Sequence, residues 1–85
     1  MATRMLTIPY TEDLLLSLKE SPLEFEREAR LLLAVKLYEL GRVSTGVAAQ
    51  LAGMNRVAFI LALQRFNVSP LGQAPSELAG DYGNA

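Results

Sequence analysis

The sequence predicts a small, mostly α-helical domain with a short N-terminal strand, a long central helix and a C-terminal hairpin of the helix-turn-helix type. Three observations predict this fold class. Two short helical patterns, residues 44–52 and 55–66, meet at Gly53. A longer pattern with a marked start precedes them over residues 22–40. About half of the 85 residues are apolar (51%), which is enough to bury one helical core.

The hairpin is predicted from the order of its capping, small and turn residues. Ser44 and Asn55 are suited to cap its two helices, because their side-chain oxygens accept hydrogen bonds from the free N–H groups of a first turn. Gly53 supplies the positive φ that a sharp reversal between helices needs. The buried positions of such a hairpin are filled by Ala49, Ala52, Met54, Phe59 and Ala62.

The second helix of the hairpin carries a mixed set of side chains at the positions that would face a DNA groove. These positions are Asn55, Arg56, Val57, Ile60, Leu61 and Gln64. Three of the six are large and aliphatic, whereas a helix that reads base edges is expected to offer polar side chains there. Two interpretations stay open at this point: the helix contacts DNA, or it is buried in a protein partner.

Charge is distributed unevenly along the chain, although the net charge is only −1. Residues 1–41 carry five basic and seven acidic side chains, residues 42–66 carry three arginines and no acid, and residues 67–85 carry two acids. The hairpin is therefore the one purely basic region, and phosphate contacts require basic groups. The candidate DNA-binding residues are Arg42, Thr45, Asn55, Arg56, Gln64 and Arg65.

The N-terminal part is predicted to form a strand over residues 4–9 and a helix over residues 11–19. Leu6 and Ile8 alternate onto one face of the strand. A single strand needs a partner, and the same strand of a second copy would supply one in a two-stranded ribbon. Such a ribbon also occurs in ribbon-helix-helix proteins, but Met5 and Thr7 would be poor readers of bases here. The expected N-cap and buried residues of the helix are Thr11, Leu14, Leu15 and Leu18.

The central helix has the clearest start signal in the sequence. Ser21 and Glu24 are spaced as a capping box, and Pro22 stands at the first helical position. The helix is expected to end before Gly41, and its second half is apolar nearly all round, which favours burial on several sides and a dimer contact. The candidate dimer or partner residues are Leu6, Ile8, Leu33, Leu37, Tyr38, Ile60, Leu61, Leu78 and Tyr82. The region 67–85 is predicted to be an irregular tail, which leaves residues 1–66 as the helical domain.

The composition argues against several classes of protein. The absence of Cys and His argues against disulfides, a zinc site and histidine-based acid–base catalysis. Glu20, Glu24 and Glu28 have helical spacing and are interpreted as a solvated face rather than a catalytic set. We therefore expect no enzymatic activity, no cofactor, no metal and no small-molecule substrate. We expect no membrane span and a cytoplasmic location, and the surplus of apolar residues favours a homodimer.

The central part of the chain resembles a known family. The residues that carry the resemblance are Ala34, Lys36, Leu37, Tyr38, Gly41, Ser44, Gly46, Ala48, Ala49, Ala52, Gly53, Met54, Arg56 and Phe59. They resemble the uncharacterised protein family 0175, a family of small prokaryotic proteins often encoded beside a PIN-domain nuclease. The resemblance implies an antitoxin-like regulator that binds operator DNA and a PIN-type protein toxin, with no established catalytic residues. The alternative is an interaction or oligomerisation module that does not touch DNA.

Overall fold

The computed structural model describes residues 2–69, and this part of the chain folds into four α-helices. They are α1 (Glu12–Leu18), α2 (Pro22–Glu39), α3 (Thr45–Ala52) and α4 (Arg56–Arg65). α3 lies at the centre of the packing, because it contacts both α2 and α4. The predicted helical fold class is confirmed. Most of the predicted tail, with Leu78 and Tyr82, lies outside the described residues.

The predicted strand over residues 4–9 is not present, since residues 2–11 form no regular secondary structure. A strand exists only when its backbone groups pair with a second strand, and the described part of the chain contains none. Leu6 and Ile8 are consequently exposed. The alternating pattern that predicted the strand is a property of the segment itself. A strand also needs a second strand to pair with, and the pattern does not show whether one is present.

The N-terminal segment is attached to α2 through Tyr10. The Tyr10 ring meets the Phe25 ring edge to face, with the ring centroids 4.8 Å apart. The Tyr10 hydroxyl donates a hydrogen bond of 2.7 Å to Oε2 of Glu26. This bond stabilises the neutral phenol, and together with the negative charge of Glu26 it raises the pKa of Tyr10.

The core is built where α2, α3 and α4 meet. Ala34 on α2 and Ala48 on α3 are fully buried, and these small side chains let the two helices approach closely. Phe59 and Leu63 of α4 fill the remaining space and are also fully buried. Burying each of these two large side chains stabilises the fold by about 1.5–3 kcal/mol. The core residues are Leu31, Ala34, Val35, Ala48, Ala49, Phe59, Ala62 and Leu63.

Helix α1 is less buried than its sequence pattern predicts. Leu15 is buried, but Leu14 and Leu18 are 36% and 44% exposed. Thr11 occupies the N-cap position, yet its side chain forms no capping hydrogen bond. A helix of two turns contacts its neighbour along a narrow strip, so one leucine reaches the interior while the flanking leucines remain at the rim.

The start of α2 has the capping geometry expected from the sequence. The Ser21 hydroxyl accepts a hydrogen bond from the Glu24 N–H at 3.2 Å, and the Glu24 carboxylate accepts one from the Ser21 N–H at 2.8 Å. These bonds favour the ionised carboxylate and lower the pKa of Glu24. At the other end, Gly41 adopts a φ of +74° beyond the last helical turn.

Glu20 and Glu28 are half-buried, which corrects the interpretation of the three glutamates as a uniformly solvated face. Oε1 of Glu20 is buried and has no hydrogen-bond partner among the described residues. A hydrogen bond between the Glu20 and Glu28 carboxyls requires one of the two to be protonated. Hydrogen bonding with Glu28, then burial, then the negative charges of Glu28 and Glu24 raise the pKa of Glu20.

Among residues 2–69, no single helix is both long enough and apolar enough to cross a membrane. Helices α3 and α4 together reach the required length and composition, but the chain bends by 87° between them.

The Glu20–Glu28 pair predicts a pH-dependent stability. Because the pKa of Glu20 is raised on folding, the folded chain binds its proton more tightly than the unfolded chain does. Stability is therefore lost as pH rises from about 4.3, the ordinary value for an unfolded glutamate, through the raised pKa. We expect Glu20→Gln to raise the melting temperature at pH 7 and to leave it nearly unchanged near pH 3.

Thermal unfolding followed by circular dichroism at both pH values measures this effect. Glu28→Gln is the reciprocal variant and should give a gain of the same sign, because it removes the same repulsion from the other side. A melting temperature at pH 7 that falls in both variants contradicts the proposed pairing.

Candidate nucleic-acid interface

The hairpin is a pair of helices that meet at a sharp, well-defined turn. Gly53 adopts a φ of +76°, in the left-handed region that a Cβ atom disfavours. The N–H groups of Gly53 and Met54 donate to the carbonyl oxygens of Gln50 and Ala49 at 3.1 and 3.0 Å. These bonds close the C-terminus of α3, so that α4 leaves at a fixed angle.

Both helices of the hairpin begin at a side-chain cap. Ser44 accepts a hydrogen bond from the Val47 N–H at 3.2 Å, and Oδ1 of Asn55 accepts one from the Ala58 N–H at 2.8 Å. The first turns of both helices line one open groove. Its lining residues are Ser44, Gly46, Val47, Ala49, Gln50, Met54, Asn55 and Arg56. Two helix N-termini with free N–H groups on one groove create a positive potential that suits an anion.

The candidate DNA-binding residues are divided between free and engaged side chains. Arg42, Arg56 and Gln64 are exposed, and Thr45 is half-buried in the first turn of α3. The side-chain oxygen of Asn55 is already used by the cap, so its amide NH₂ remains as a donor. Arg65 is exposed as well, but its guanidinium lies 5.4 Å from the centre of the Phe66 ring in a cation–π contact.

The aliphatic side chains of α4 are on its surface. Val57 and Leu61 are 68% and 59% exposed, and they stand one helical turn apart. Ile60, between them along the chain, is half-buried. α4 thus presents Arg56 followed by a short apolar stripe, in which Val57 and Leu61 are mostly exposed.

The candidate dimer or partner residues differ in their exposure. Leu6, Ile8, Leu33 and Leu61 are exposed, with Leu33 at 37%. Leu37, Tyr38 and Ile60 are half-buried. Tyr38 packs against the core, where its ring meets the Phe59 ring nearly at a right angle with centroids 6.0 Å apart.

Arg30 of α2 is not among the candidate residues that the sequence predicted. Its Nε donates a hydrogen bond of 2.9 Å to the carbonyl oxygen of Leu51, in the last turn of α3. A Cβ atom on Gly53 would lie 3.1 Å from Nη1 of the same guanidinium. A cation at the C-terminus of a helix also interacts favourably with the helix dipole. Arg30 therefore ties α2 to the turn of the hairpin.

Other charged groups show ordinary surface geometry. Lys36 is exposed and pairs with Glu39 at 3.1 Å, as in an ordinary surface ion pair. No group of three or more His, Cys, Asp or Glu side chains within residues 2–69 is arranged to hold a metal ion.

Comparison with known proteins identifies the family. A model of the Uncharacterised protein family (UPF0175) matches residues 1–83. The chain belongs to this family. The match extends over the hairpin and the N-terminal segment alike, so UPF0175 describes nearly the whole chain rather than a single motif.

Two relatives within UPF0175 come from archaea. A UPF0175 protein of Archaeoglobus fulgidus is 45% identical over 56 residues, which are 66% of this chain and 63% of that protein. The alignment thus spans less than two thirds of the Archaeoglobus protein. A UPF0175 protein of Aeropyrum pernix is 38% identical over 64 residues, which are 75% of this chain and 71% of that protein. No solved structure matches.

Substitution of Gly41 and of Gly53 by alanine should reduce the stability by different amounts, although the two glycines have the same backbone conformation. Gly41 and Gly53 have φ values of +74° and +76°, but a Cβ atom on Gly41 meets nothing within 4 Å. Each Gly→Ala change should destabilise the fold by about 1–2 kcal/mol through the left-handed φ. Gly53→Ala should lose up to about 1 kcal/mol more, because the Arg30 guanidinium must shift away from the added Cβ and its hydrogen bond to Leu51 is weakened.

Urea unfolding of both variants measures the difference, and Arg30→Ala combined with Gly53→Ala is the control. The double variant should lose less than the sum of its parts, since the contact is then already absent. Equal losses at Gly41 and Gly53 contradict this account of the turn.

Proposed function

We propose that this protein is an antitoxin-like transcriptional regulator that binds operator DNA through the α3–α4 hairpin and binds a PIN-type toxin as its protein partner. The observation that carries the DNA-binding part is the groove at the hairpin, where the first turns of two helices and Arg56 lie together. The toxin partner rests on the resemblance to the family. A regulator of this kind acts in the cytoplasm and needs no catalytic group or cofactor.

The electrostatics of the hairpin support DNA binding. Residues 42–66 carry Arg42, Arg56 and Arg65 and no acid, so no carboxylate of the hairpin repels a phosphate. Arg56 is the first residue of α4 and is exposed. Its guanidinium and the free N–H groups of that turn offer charge and hydrogen bonds to the same phosphate.

The apolar stripe of α4 has a role in this proposal. Val57 and Leu61 present methyl groups one turn apart, and apolar side chains contact the C5-methyl of thymine in the major groove. Gln64 follows on the same side of the helix and can pair with adenine. We therefore propose that the operator carries thymine-rich steps opposite α4, with the arginines holding the backbone on either side.

The exposed apolar residues support a homodimer. Many large apolar side chains of the described residues are at the surface, among them Leu32 and Leu33 on α2, Leu40 just after it, and Leu6 and Ile8 in the N-terminal segment. A soluble monomer rarely exposes so much apolar surface in one small domain. We propose that α2 packs against its copy in the partner subunit. The N-terminal segments then pair as a two-stranded ribbon, the strand that one chain cannot form.

The alternative function is an interaction module that does not bind DNA. The exposure of Val57 and Leu61 favours it, because the same stripe suits a hydrophobic groove of a protein partner. In that case α4 is an anchor helix and the three arginines are surface charges.

Substitution of Arg56 separates the two functions. Arg56→Ala should weaken binding to the DNA upstream of the protein's own coding sequence by about 1–3 kcal/mol. The melting temperature should hardly change, because the side chain is exposed and forms no described contact. Fluorescence anisotropy at two salt concentrations measures the affinity.

Arg27→Ala is the matched control, since it removes an equal charge from an exposed position of α2, outside the hairpin. It should leave the affinity unchanged. An affinity that responds neither to salt nor to Arg56 contradicts DNA binding and leaves the interaction module.

Substitution of Leu33 tests the assembly. Leu33→Asp places a charge on the outer face of α2. Leu33 is 37% exposed in the single chain, so the carboxylate can stay hydrated there. The variant should therefore stay folded and lose dimerisation, or precipitate if the fold depends on the dimer. Light scattering at micromolar concentration should give the mass of a dimer for the unchanged protein. A monomer there overturns the proposed assembly.

A further inference from the structure

We infer that Arg30 of α2 is an additional phosphate-binding residue of the DNA-binding surface, held in place by the last turn of α3. This inference rests on the proposed function and extends the site beyond the hairpin. Arg30 lies outside residues 42–66, so the charge distribution along the sequence does not assign it to the hairpin. The structure does assign it there, because its guanidinium lies against the turn at Gly53.

The Arg30 guanidinium is fixed by a single hydrogen bond at one corner. Nε donates to the Leu51 carbonyl oxygen at 2.9 Å, and the planar group then lies over Gly53. This bond uses one of the five donors of the side chain. The four donors on Nη1 and Nη2 form no hydrogen bond to any other described residue. An arginine held in this way loses little conformational entropy when it binds an anion.

The charge of Arg30 is not neutralised by a neighbour. Within residues 2–69, no carboxylate forms an ion pair with it. Glu26, one helical turn earlier, instead accepts the hydroxyl hydrogen bond of Tyr10 at 2.7 Å. Arg30 is exposed, so its cation remains available to a ligand. A phosphate oxygen pairs well with the two Nη groups, because the guanidinium fork matches phosphate geometry.

The location of Arg30 matches the proposed DNA-binding surface. Gly53, which it touches, precedes the first residue of α4 by three residues, a separation of at most about 10 Å along an extended chain. This short separation limits the distance between the Arg30 guanidinium and the first turn of α4. In this arrangement Arg30 on α2 and Arg56 on α4 bind phosphates of the same DNA backbone, and two contacts from different helices fix α4 in the groove.

Arg30→Gln separates a phosphate contact from a purely structural bond. The glutamine Nε2 is attached to Cδ as the arginine Nε is, so it keeps a donor for the Leu51 carbonyl oxygen. The charge and the Nη groups are lost. Arg27→Gln is the matched control, because it makes the same change one turn away on α2. Each variant is titrated by anisotropy against the DNA upstream of the coding sequence and against an unrelated duplex at several salt concentrations.

The expected result is a salt dependence of log K that is shallower by about one in Arg30→Gln, with affinity lost equally on both duplexes. The melting temperature should stay close to that of the unchanged protein, as should the salt slope of Arg27→Gln. An unchanged slope in Arg30→Gln, or an equal change in both variants, overturns the inference while the proposed function stands. Unchanged protein whose DNA affinity is indifferent to salt overturns both.

Arg30→Lys provides a second variant if the glutamine variant is unfolded. Lysine keeps the charge but lacks the planar fork, so the salt slope should be retained while the melting temperature falls with the lost Leu51 contact. A slope that drops in Arg30→Lys as well shows that the residue acts through the structure of the turn, and this also overturns the inference.

Discussion

The fold depends on the close approach of α2 and α3, which small side chains permit. Ala34 and Ala48 have no exposed surface, and small side chains at such buried positions allow two helices to approach closely. This contact leaves a cleft that α4 closes with Phe59 and Leu63. A larger residue at either alanine would separate α2 from α3 and would also remove the support of α4. The orientation of the proposed DNA-binding helix is thus decided at a contact that it does not itself make.

The hairpin could be predicted because its determinants are local. Ser44 and Asn55 cap helices within three residues of themselves, and Gly53 sets the turn by its own φ. The capping box at Ser21 acts over the same short distance. Where a feature depends on a distant contact, the sequence pattern was insufficient: residues 4–9 alternate like a strand but have no partner in the chain.

The candidate arginines Arg42, Arg56 and Arg65 are exposed, but the contacts around the hairpin could not be predicted from the sequence pattern. Asn55 was expected both to cap α4 and to contact DNA; the cap is present, and it leaves only the amide NH₂ for DNA. Arg30 was not among the predicted site residues, and its hydrogen bond reaches a carbonyl 21 residues away. A bond to a backbone carbonyl leaves no mark in the sequence, since every residue type offers the same acceptor. The periodic pattern also overestimated the burial of α1. Such a pattern shows which face of a helix is apolar, but not how deeply that face is buried.

Because α1 is sparsely packed, its local stability is lower than that of the other helices. Leu15 is the buried residue of this helix, and it lies outside the core shared by α2, α3 and α4. Such a helix opens by local fluctuation at a small fraction of the free energy needed to unfold the whole chain. Its amide protons exchange with solvent through these openings, while those of Phe59 and Leu63 exchange through global unfolding. The N-terminal segment is held to α2 by the contacts of Tyr10 with Phe25 and Glu26, so opening these contacts would let it rearrange while the three-helix core stays folded.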